Sequence, residues 1–317
     1  MKDSFGREIT YLRVSVTDLC NLRCRYCMPA EGVCKKAHED MLTEDELIAA
    51  VRAAVSIGIT KVRLTGGEPL VKRNILSICR RVRQIEGIEE VCLTTNASRL
   101  PEEAAALKAA GISRINISLD TLDPEKYRWI TRGGDFSEAL AGVEAAVAAG
   151  FNKVKINAVL IGGFNDDEIR PLAELTRRYP IDVRFIEMMP MAGNTEFGEG
   201  AYISSARVLA ELPELVPAPE DGGVAKLFLL PDALGCVGII SPIYAHFCAG
   251  CNRLRLTADG KIKPCLHSGE EYPLKGLSEE EMREQFKAAI LGKPKWHGVL
   301  TAEQRSRSQR TMNQIGG

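Results

Sequence analysis

From residue 10 onward, short β-branched runs alternate with amphipathic stretches, and this rhythm restricts the fold more than any other property of the chain. The runs YLRVSV (11–16), KVRLT (61–65), VCLTT (91–95), RINISL (114–119), KVKINAVLI (153–161) and DVRFIEM (182–188) read as six strands. Helices with legible ends lie between them. In TEDELIAAVRAAVSIG, Thr43 and Glu46 form a capping box, Leu47, Ile48, Val51 and Val55 make an apolar stripe, and Gly58 closes it. Pro101 and Gly111 bracket a helix over 101–110; Ser137 caps another over 137–149, ended by Gly150. Strands and helices alternating at this spacing pair in parallel through right-handed crossovers, giving a doubly wound sheet or a barrel, closed or partial. Six units are too few for the complete eight-unit barrel. Past residue 190 Gly, Pro and short apolar runs take over, and 190–317 reads as a smaller region that folds against the first.

The 41 basic residues nearly cancel the 42 acidic ones, so no bulk field draws the chain to a nucleic acid polymer or a membrane surface. MKDSFGREIT lacks an apolar h-region and no long apolar run follows, so neither a signal peptide nor a membrane span is expected, and the expected location is cytoplasmic. Ten cysteines in such a chain point to metal or redox chemistry rather than a disulfide framework. Six of them cluster; Cys34, Cys79, Cys92 and Cys236 stand apart and read as ordinary buried thiols.

The first cluster, CNLRCRYCMPAEG, places Cys20, Cys24 and Cys27 in a C-x3-C-x2-C spacing directly after the first strand. Three thiolates can hold three irons of a cubane and leave the fourth iron open. A structural zinc site would be closed by a fourth ligand, such as His38. The loop falls at the carboxyl end of a parallel sheet, where α/β barrels place their chemistry. A second cluster, CAGCNRLRLTADGKIKPC, spaces Cys248, Cys251 and Cys265 as C-x2-C-x13-C. It reads as a zinc ribbon completed by His246 or His267, or as another open iron-sulfur site. Arg253 and Arg255 alternate within it on one face of a strand, and two guanidiniums there suit an anion.

An aromatic before the last cysteine of the first triad, together with LTGGEPL (64–70) after the second strand, resembles the signature of the radical S-adenosylmethionine (SAM) enzymes. Within that superfamily the chain is similar to the GTP 3′,8-cyclases of molybdenum cofactor biosynthesis. The likeness runs in order through LRVSVTDLCNLRCRYCMPAEG, VRLTGGEPLVKRNI, LTTN, INISLDTLDPEKY, VKINAVLIGGFNDDEI, RFIEMMP, FCAGCNRLRLTADGKIKPCL and MNQIGG. Two departures stand out: Ala97 follows TTN where the family commonly has Gly, and His267 follows CL where an aromatic is commoner.

The resemblance implies a partial (β/α)6 TIM-type barrel over 1–189 and a C-terminal iron-sulfur extension over 190–317. It implies two [4Fe-4S] clusters and SAM as cofactors, with Cys20, Cys24 and Cys27 holding the SAM cluster and Cys248, Cys251 and Cys265 the second. Tyr26, Gly67, Ser118 and Met189 would surround SAM. Arg13, Arg63, Thr94, Lys155, Arg253 and Arg255 would surround GTP, chiefly its triphosphate. Arg13, Arg253, Arg255, Gly316 and Gly317 would serve the reaction, the diglycine by reaching into the active site. The implied reaction is that of a lyase converting GTP to 3′,8-cyclo-7,8-dihydro-GTP through a 5′-deoxyadenosyl radical. An external reductant of flavodoxin or ferredoxin type supplies the electron, and the product passes to cyclic pyranopterin monophosphate synthase. The oligomer implied is a monomer or homodimer. Asn96, after Thr94 and Thr95, is a further candidate contact for SAM or substrate. Two rival readings are a peptide-modifying radical SAM maturase and a non-catalytic zinc or iron-sulfur protein.

Overall fold

The computed structural model describes residues 1–33, 36–191, 196–220 and 222–316. Cys34 and Gly317 lie outside the described residues. The six β-branched runs form β1 (Tyr11–Ser15), β2 (Lys61–Thr65), β3 (Glu90–Thr95), β4 (Arg114–Ser118), β5 (Lys153–Leu160) and β6 (Ile181–Glu187). Between them lie α1 (Glu44–Val55), α2 (Ile75–Arg83), α3 (Leu100–Ala109), α4 (Pro124–Thr131), α5 (Phe136–Ala148) and α6 (Ile169–Arg178). The α1 capping box forms as expected: Glu46 N–H donates to Thr43 Oγ1 at 3.2 Å, and Thr43 N–H to Glu46 Oε2 at 2.8 Å. The expected cap of α5 is corrected. Asp135, not Ser137, caps that helix, accepting from Ser137 N–H at 2.8 Å, because its carboxylate lies ahead of the first helical residue.

The remaining residues supply β7 (Val216–Pro217), β8 (Lys226–Leu229), β9 (Val237–Ile240), β10 (Arg253–Leu256), β11 (Lys261–Lys263) and β12 (Tyr272–Pro273). They also supply α7 (Ala206–Glu211), α8 (Glu279–Leu291) and α9 (Met312–Ile315). All strands join one sheet in the order β12-β11-β10-β1-β2-β3-β4-β5-β6-β9-β8-β7. Its middle, from β10 through β1–β6 to β9, is parallel throughout, while β7, β8, β11 and β12 pair antiparallel outside it. The C-terminal residues therefore extend both edges of the six-unit sheet.

Strand periodicity then decides what faces where. Leu12 and Val14, Val62 and Leu64, Val91 and Leu93, Ile115 and Ile117, and Val183 and Phe185 are buried in a core shared with Leu47, Ile48 and Val51 of α1 and with the other helices. Each such burial contributes about 1.5–3 kcal/mol. The alternate residues Arg13, Arg63, Thr94, Asn116, Lys155 and Arg184 face the other way and line a cavity. The helices cover the apolar face, and a polar interior is left for function.

Candidate active site

The cavity encloses about 380 Å3, and its walls reach from the first cysteine triad to the neighbours of the second. The first triad lies in the loop after β1, at the carboxyl ends of the parallel strands. Cys251 immediately precedes β10, whereas Cys265 follows the antiparallel β11, so the second triad gathers at the amino ends. The first triad thus lines one end of the cavity, and the second lies beside its other end, next to the lining residues Phe247, Asn252 and Leu266.

The first loop is held from two sides. Arg23 and Arg25 N–H groups donate to Thr131 O and Ile130 O of α4, and Arg132 Nη1 donates to Met28 O at 2.9 Å. On the other side, Gly67 N–H donates to Thr17 O and Glu68 N–H to Leu19 O, each at 2.8 Å. A Cβ on Gly66 would stand 2.4 Å from Thr17 O, and one on Gly67 2.2 Å from Leu19 O. The glycines therefore admit the cysteine loop itself, and Gly67 also lines the cavity. The Glu68 carboxylate is buried and accepts from Leu70 N–H at 3.0 Å, Thr95 Oγ1–H at 2.7 Å and Asn96 N–H at 2.7 Å, which joins the ends of β2 and β3. Burial outweighs these bonds and pushes its pKa up to about 7.

Burial pushes the Cys20 thiol up to about 11 and Cys27 to about 12, and raises Cys24 as well. Charge on Cys27 or Cys20 would raise Cys24 further, so the three sulfurs are neighbours. Three crowded, shielded thiols are poor thiolates alone and good ones beside cationic iron, so the donor set fits a cubane. Among the described residues, no three His, Cys, Asp or Glu side chains converge as a single-ion site would require. A cubane takes one thiolate per iron and needs no such point. Tyr26 Oη donates to Asp120 Oδ2 at 2.7 Å, fixing the ring over this end of the cavity, which Ser118 and Met189 also line. Asn96 serves the loop too, with Nδ2 donating to Asn21 Oδ1 at 2.9 Å.

At the other end, Arg7 Nη1 donates to Cys248 O at 2.9 Å, and the buried Lys293 ammonium donates to Arg253 O at 2.8 Å and Pro264 O at 2.6 Å. Burial opposes ionisation of Cys251, but Lys293 and Arg253 outweigh it and hold the thiol below its ordinary pKa. Glu187 at the end of β6 accepts from Ser205, Ser241, Ile243 and Tyr244, fixing the segment that leads to Cys248. His267 is buried, its ring centroid 4.9 Å from that of His297 and its Nδ1 3.1 Å from Ser306 Oγ.

Between the triads runs a row of cations. Arg13 of β1 pairs in register with Arg63 of β2 and Arg255 of β10, and Tyr11 with Arg253. Burial, together with Arg255, Arg63 and Arg253, lowers the Arg13 pKa well below its usual value; burial and Arg253 bring Arg255 down to about 10. Arg253 Nε is buried without a hydrogen-bond partner. Arg63 donates to Tyr11 Oη at 2.5 Å and to Thr94 Oγ1 at 3.3 Å, and is not spent on a carboxylate. Lys155 is 4% exposed, with Asp182 Oδ2 at 3.5 Å. Such a concentration of buried positive charge fits a polyanionic ligand.

The tail reaches the same cavity. Met312 N–H donates to Cys27 O, Asn313 Nδ2 donates to Asp18 O at 2.9 Å, and Arg255 Nη1 donates to Ile315 O at 3.2 Å and to Gly316 O. Gly316 has φ +70°, and a Cβ there would stand 2.5 Å from Thr65 Cγ2. Arg310 anchors this segment through Asp259 and Glu271, and Lys36 also pairs with Asp259. Sequence reasoning passed over Glu68, Asp120, Glu187, Lys293 and Arg310; EP in GGEP and the Asp of SLDT were the signals for the first two.

A parallel sheet with a cysteine triad at its carboxyl ends defines a radical SAM protein. The radical SAM superfamily profile matches residues 14–176, and the Molybdenum Cofactor Synthesis C profile matches 181–299. The GTP 3′,8-cyclases of Alkaliphilus oremlandii and Pelotomaculum thermopropionicum are 49% and 47% identical to this chain, each alignment covering 100% of both sequences. The SAM-bound SuiB of Streptococcus suis superposes with a TM-score of 0.64 at 18% identity, over 82% of this chain and 61% of that one. Coproporphyrinogen III oxidase of Escherichia coli superposes at 0.52 and 14%, over 71% and 56%. These two likenesses show the fold. The full-length identities show more: the chain belongs to the GTP 3′,8-cyclase family. Superfamily membership brings with it SAM and one [4Fe-4S] cluster. No helix among the described residues is long and apolar enough to cross a membrane.

Proposed function

We propose that this chain cyclises GTP to (8S)-3′,8-cyclo-7,8-dihydroguanosine 5′-triphosphate, the first step of molybdenum cofactor biosynthesis. The observation that carries the reading is the arginine row in a cavity lined by the first cysteine triad and by the neighbours of the second. In this reading Cys20, Cys24 and Cys27 hold the first [4Fe-4S] cluster, and Tyr26, Gly67, Ser118 and Met189 flank SAM. Cys248, Cys251 and Cys265, in the C-terminal region 190–317, hold a second cluster. Held there, the first cluster together with SAM would supply 5′-deoxyadenosyl radical chemistry, for which one electron would come from an external reductant of flavodoxin or ferredoxin type. Arg13, Arg63, Lys155, Arg253 and Arg255 neutralise the triphosphate, and Thr94 helps to orient it. Fixing the triphosphate limits how the rest of the nucleotide can lie and so helps to bring C3′ and C8 of one molecule into reacting geometry. Gly316, held by Arg255, adds backbone where a side chain has no room. The reading also entails a cytoplasmic monomer or homodimer that passes product to cyclic pyranopterin monophosphate synthase.

Arg253→Ala tests the assignment. GTP turnover should fall by tenfold or more, roughly the loss of one charge-assisted contact, while SAM cleavage without GTP is spared. Equal losses in the two assays would remove Arg253 from the substrate site.

A further inference from the structure

The first cysteine loop has an outer side that the cavity does not use. Cys24 and Tyr26 line the cavity, while Arg25 between them turns outward. Its guanidinium lies over the Trp129 ring, 4.3 Å from the centroid, and its Nε donates to Trp129 O at 2.9 Å. Trp129 stands on the last turn of α4, 5.3 Å from Phe164 between ring centroids, and is still 45% exposed. Arg23, on the other side of Cys24, and Arg128, next to Trp129, are exposed as well. Arg132 donates to Arg23 O at 2.7 Å and shares the Glu196 carboxylate with Arg25.

Four guanidiniums therefore surround one exposed indole. The carboxylates set against them are Glu196, held by Arg25 and Arg132 together, and Asp135, beside Arg128. Over the whole chain 41 basic residues meet 42 acidic ones, so the positive charge here is a local excess. Trp and Arg are the residues that most often anchor a protein interface, and a stacked Arg–Trp pair offers apolar area and charge at one spot.

The address of the patch indicates the partner. Arg23 and Arg25 each adjoin Cys24 in the chain, so a protein seated on Arg25 and Trp129 lies one loop away from the first triad. The reading above calls for one electron there. Electron carriers meet their partners through small, weak interfaces steered by complementary charge. A cationic face suits an acidic carrier.

We infer that Arg23, Arg25, Arg128 and Trp129 form the docking face for the external reductant, a small acidic carrier protein that presents its flavin or iron-sulfur group at an acidic edge. The docked carrier is oxidised by one electron, and the first cluster is reduced by that electron. The inference rests on the reading in which such a carrier serves the radical SAM site, and it gives that carrier a place.

The test titrates reconstituted holoprotein with a bacterial flavodoxin and with cytochrome c, a carrier of opposite charge. Flavodoxin should bind about fivefold or more weakly at about 200 mM than at about 50 mM salt, and cytochrome c should not bind. Arg128→Glu and Trp129→Ala should each weaken flavodoxin binding about tenfold, and Arg25→Gln about threefold. Deoxyadenosine formation driven by subsaturating flavodoxin should fall in step. Driven by dithionite, which needs no docking face, it should be unchanged in Arg128→Glu and Trp129→Ala. Iron content reports whether the loop is intact, and Arg128→Glu, at an exposed position, carries the test if Trp129→Ala loses iron.

Flavodoxin affinity equal to that of wild type in the iron-loaded variants would overturn the inference. So would equal binding of cytochrome c, or no binding of flavodoxin by wild type. The GTP reading fails separately: flavodoxin docking as described, with no cyclised nucleotide formed under dithionite, would sink that reading and leave the docking face standing.

Discussion

Arg13 and Arg255 face each other in register across the parallel ladder of β1 and β10, near opposite ends of the chain. This pairing turns an appended C-terminal region into a wall of the cavity, because β10 carries the neighbours of the second triad to the strand that launches the first. Side-by-side guanidiniums are costly in a ligand-free protein and useful when a polyphosphate is bound.

Gly67→Ala should disrupt the first cysteine loop. The added Cβ would stand 2.2 Å from the backbone oxygen Leu19 O, and hydrogen bonds from Gly67 N–H to Thr17 O and from Glu68 N–H to Leu19 O hold the two segments together. Reconstituted variant should lose most of the iron bound at the first triad while keeping that of the second, as measured on the wild type and on a variant lacking the second triad. Full iron loading would show that the loop has room.

Ala97 has φ 69°, a left-handed conformation that an alanine side chain disfavours by about 1–2 kcal/mol. It is buried against Gly142 of α5, whose own Cβ would stand 2.2 Å from Ala97 O. Ala97→Gly should therefore raise stability by about 0.5–1 kcal/mol after the entropic cost of glycine, seen as a higher urea midpoint with an unchanged slope. A lower midpoint would contradict the strain.

Arg310 joins Asp259 and Glu271 to the segment that ends in α9, with its side chain and that of Asp259 largely buried. Removing one partner of a buried pair costs about 3 kcal/mol, less where Lys36, Lys261 and Lys263 remain to compensate. In Arg310→Ala, amide exchange at Met312–Ile315 should accelerate before the barrel opens. Exchange that quickens everywhere together would place the clamp in the global fold instead.

Glu68 is the clearest source of pH dependence. Its ordinary value is 4.5 and burial raises it to about 7, so between these limits the folded chain holds a proton that the unfolded chain has released. The stability it contributes is present at low pH and is lost as pH rises through that window, up to about 3 kcal/mol. Glu68→Gln should flatten the stability profile between those limits in anaerobic urea unfolding. An unaltered slope would mean that the carboxylate is ionised in the fold at little cost.

Much of this was legible in the sequence because it is local. Strand periodicity, the Thr43–Glu46 box and the cysteine spacings depend on neighbours a few residues apart. The cap of α5 was misplaced by two residues because Asp135 and Ser137 both suit a cap, and the distinction lies in where the helix turns. The struts made by Glu187, Lys293 and Arg310 join segments far apart in the chain, so no spacing announced them. The pattern of GGEP marked a close approach at Gly66 and Gly67 without saying that the cysteine loop makes it. Nor could the order of residues reveal that the triads occupy opposite ends of the strands, which depends on the parallel pairing of β10 with β1 and the antiparallel return of β11.

The central claim is that two open iron-sulfur sites share one cavity with SAM and GTP. Anaerobic reconstitution followed by incubation with SAM, dithionite and GTP tests it most directly. The account predicts about eight iron per chain, deoxyadenosine formation that GTP raises well above its slow background without GTP, and a cyclised nucleotide. About four iron or none, or deoxyadenosine formed equally without GTP, would contradict it.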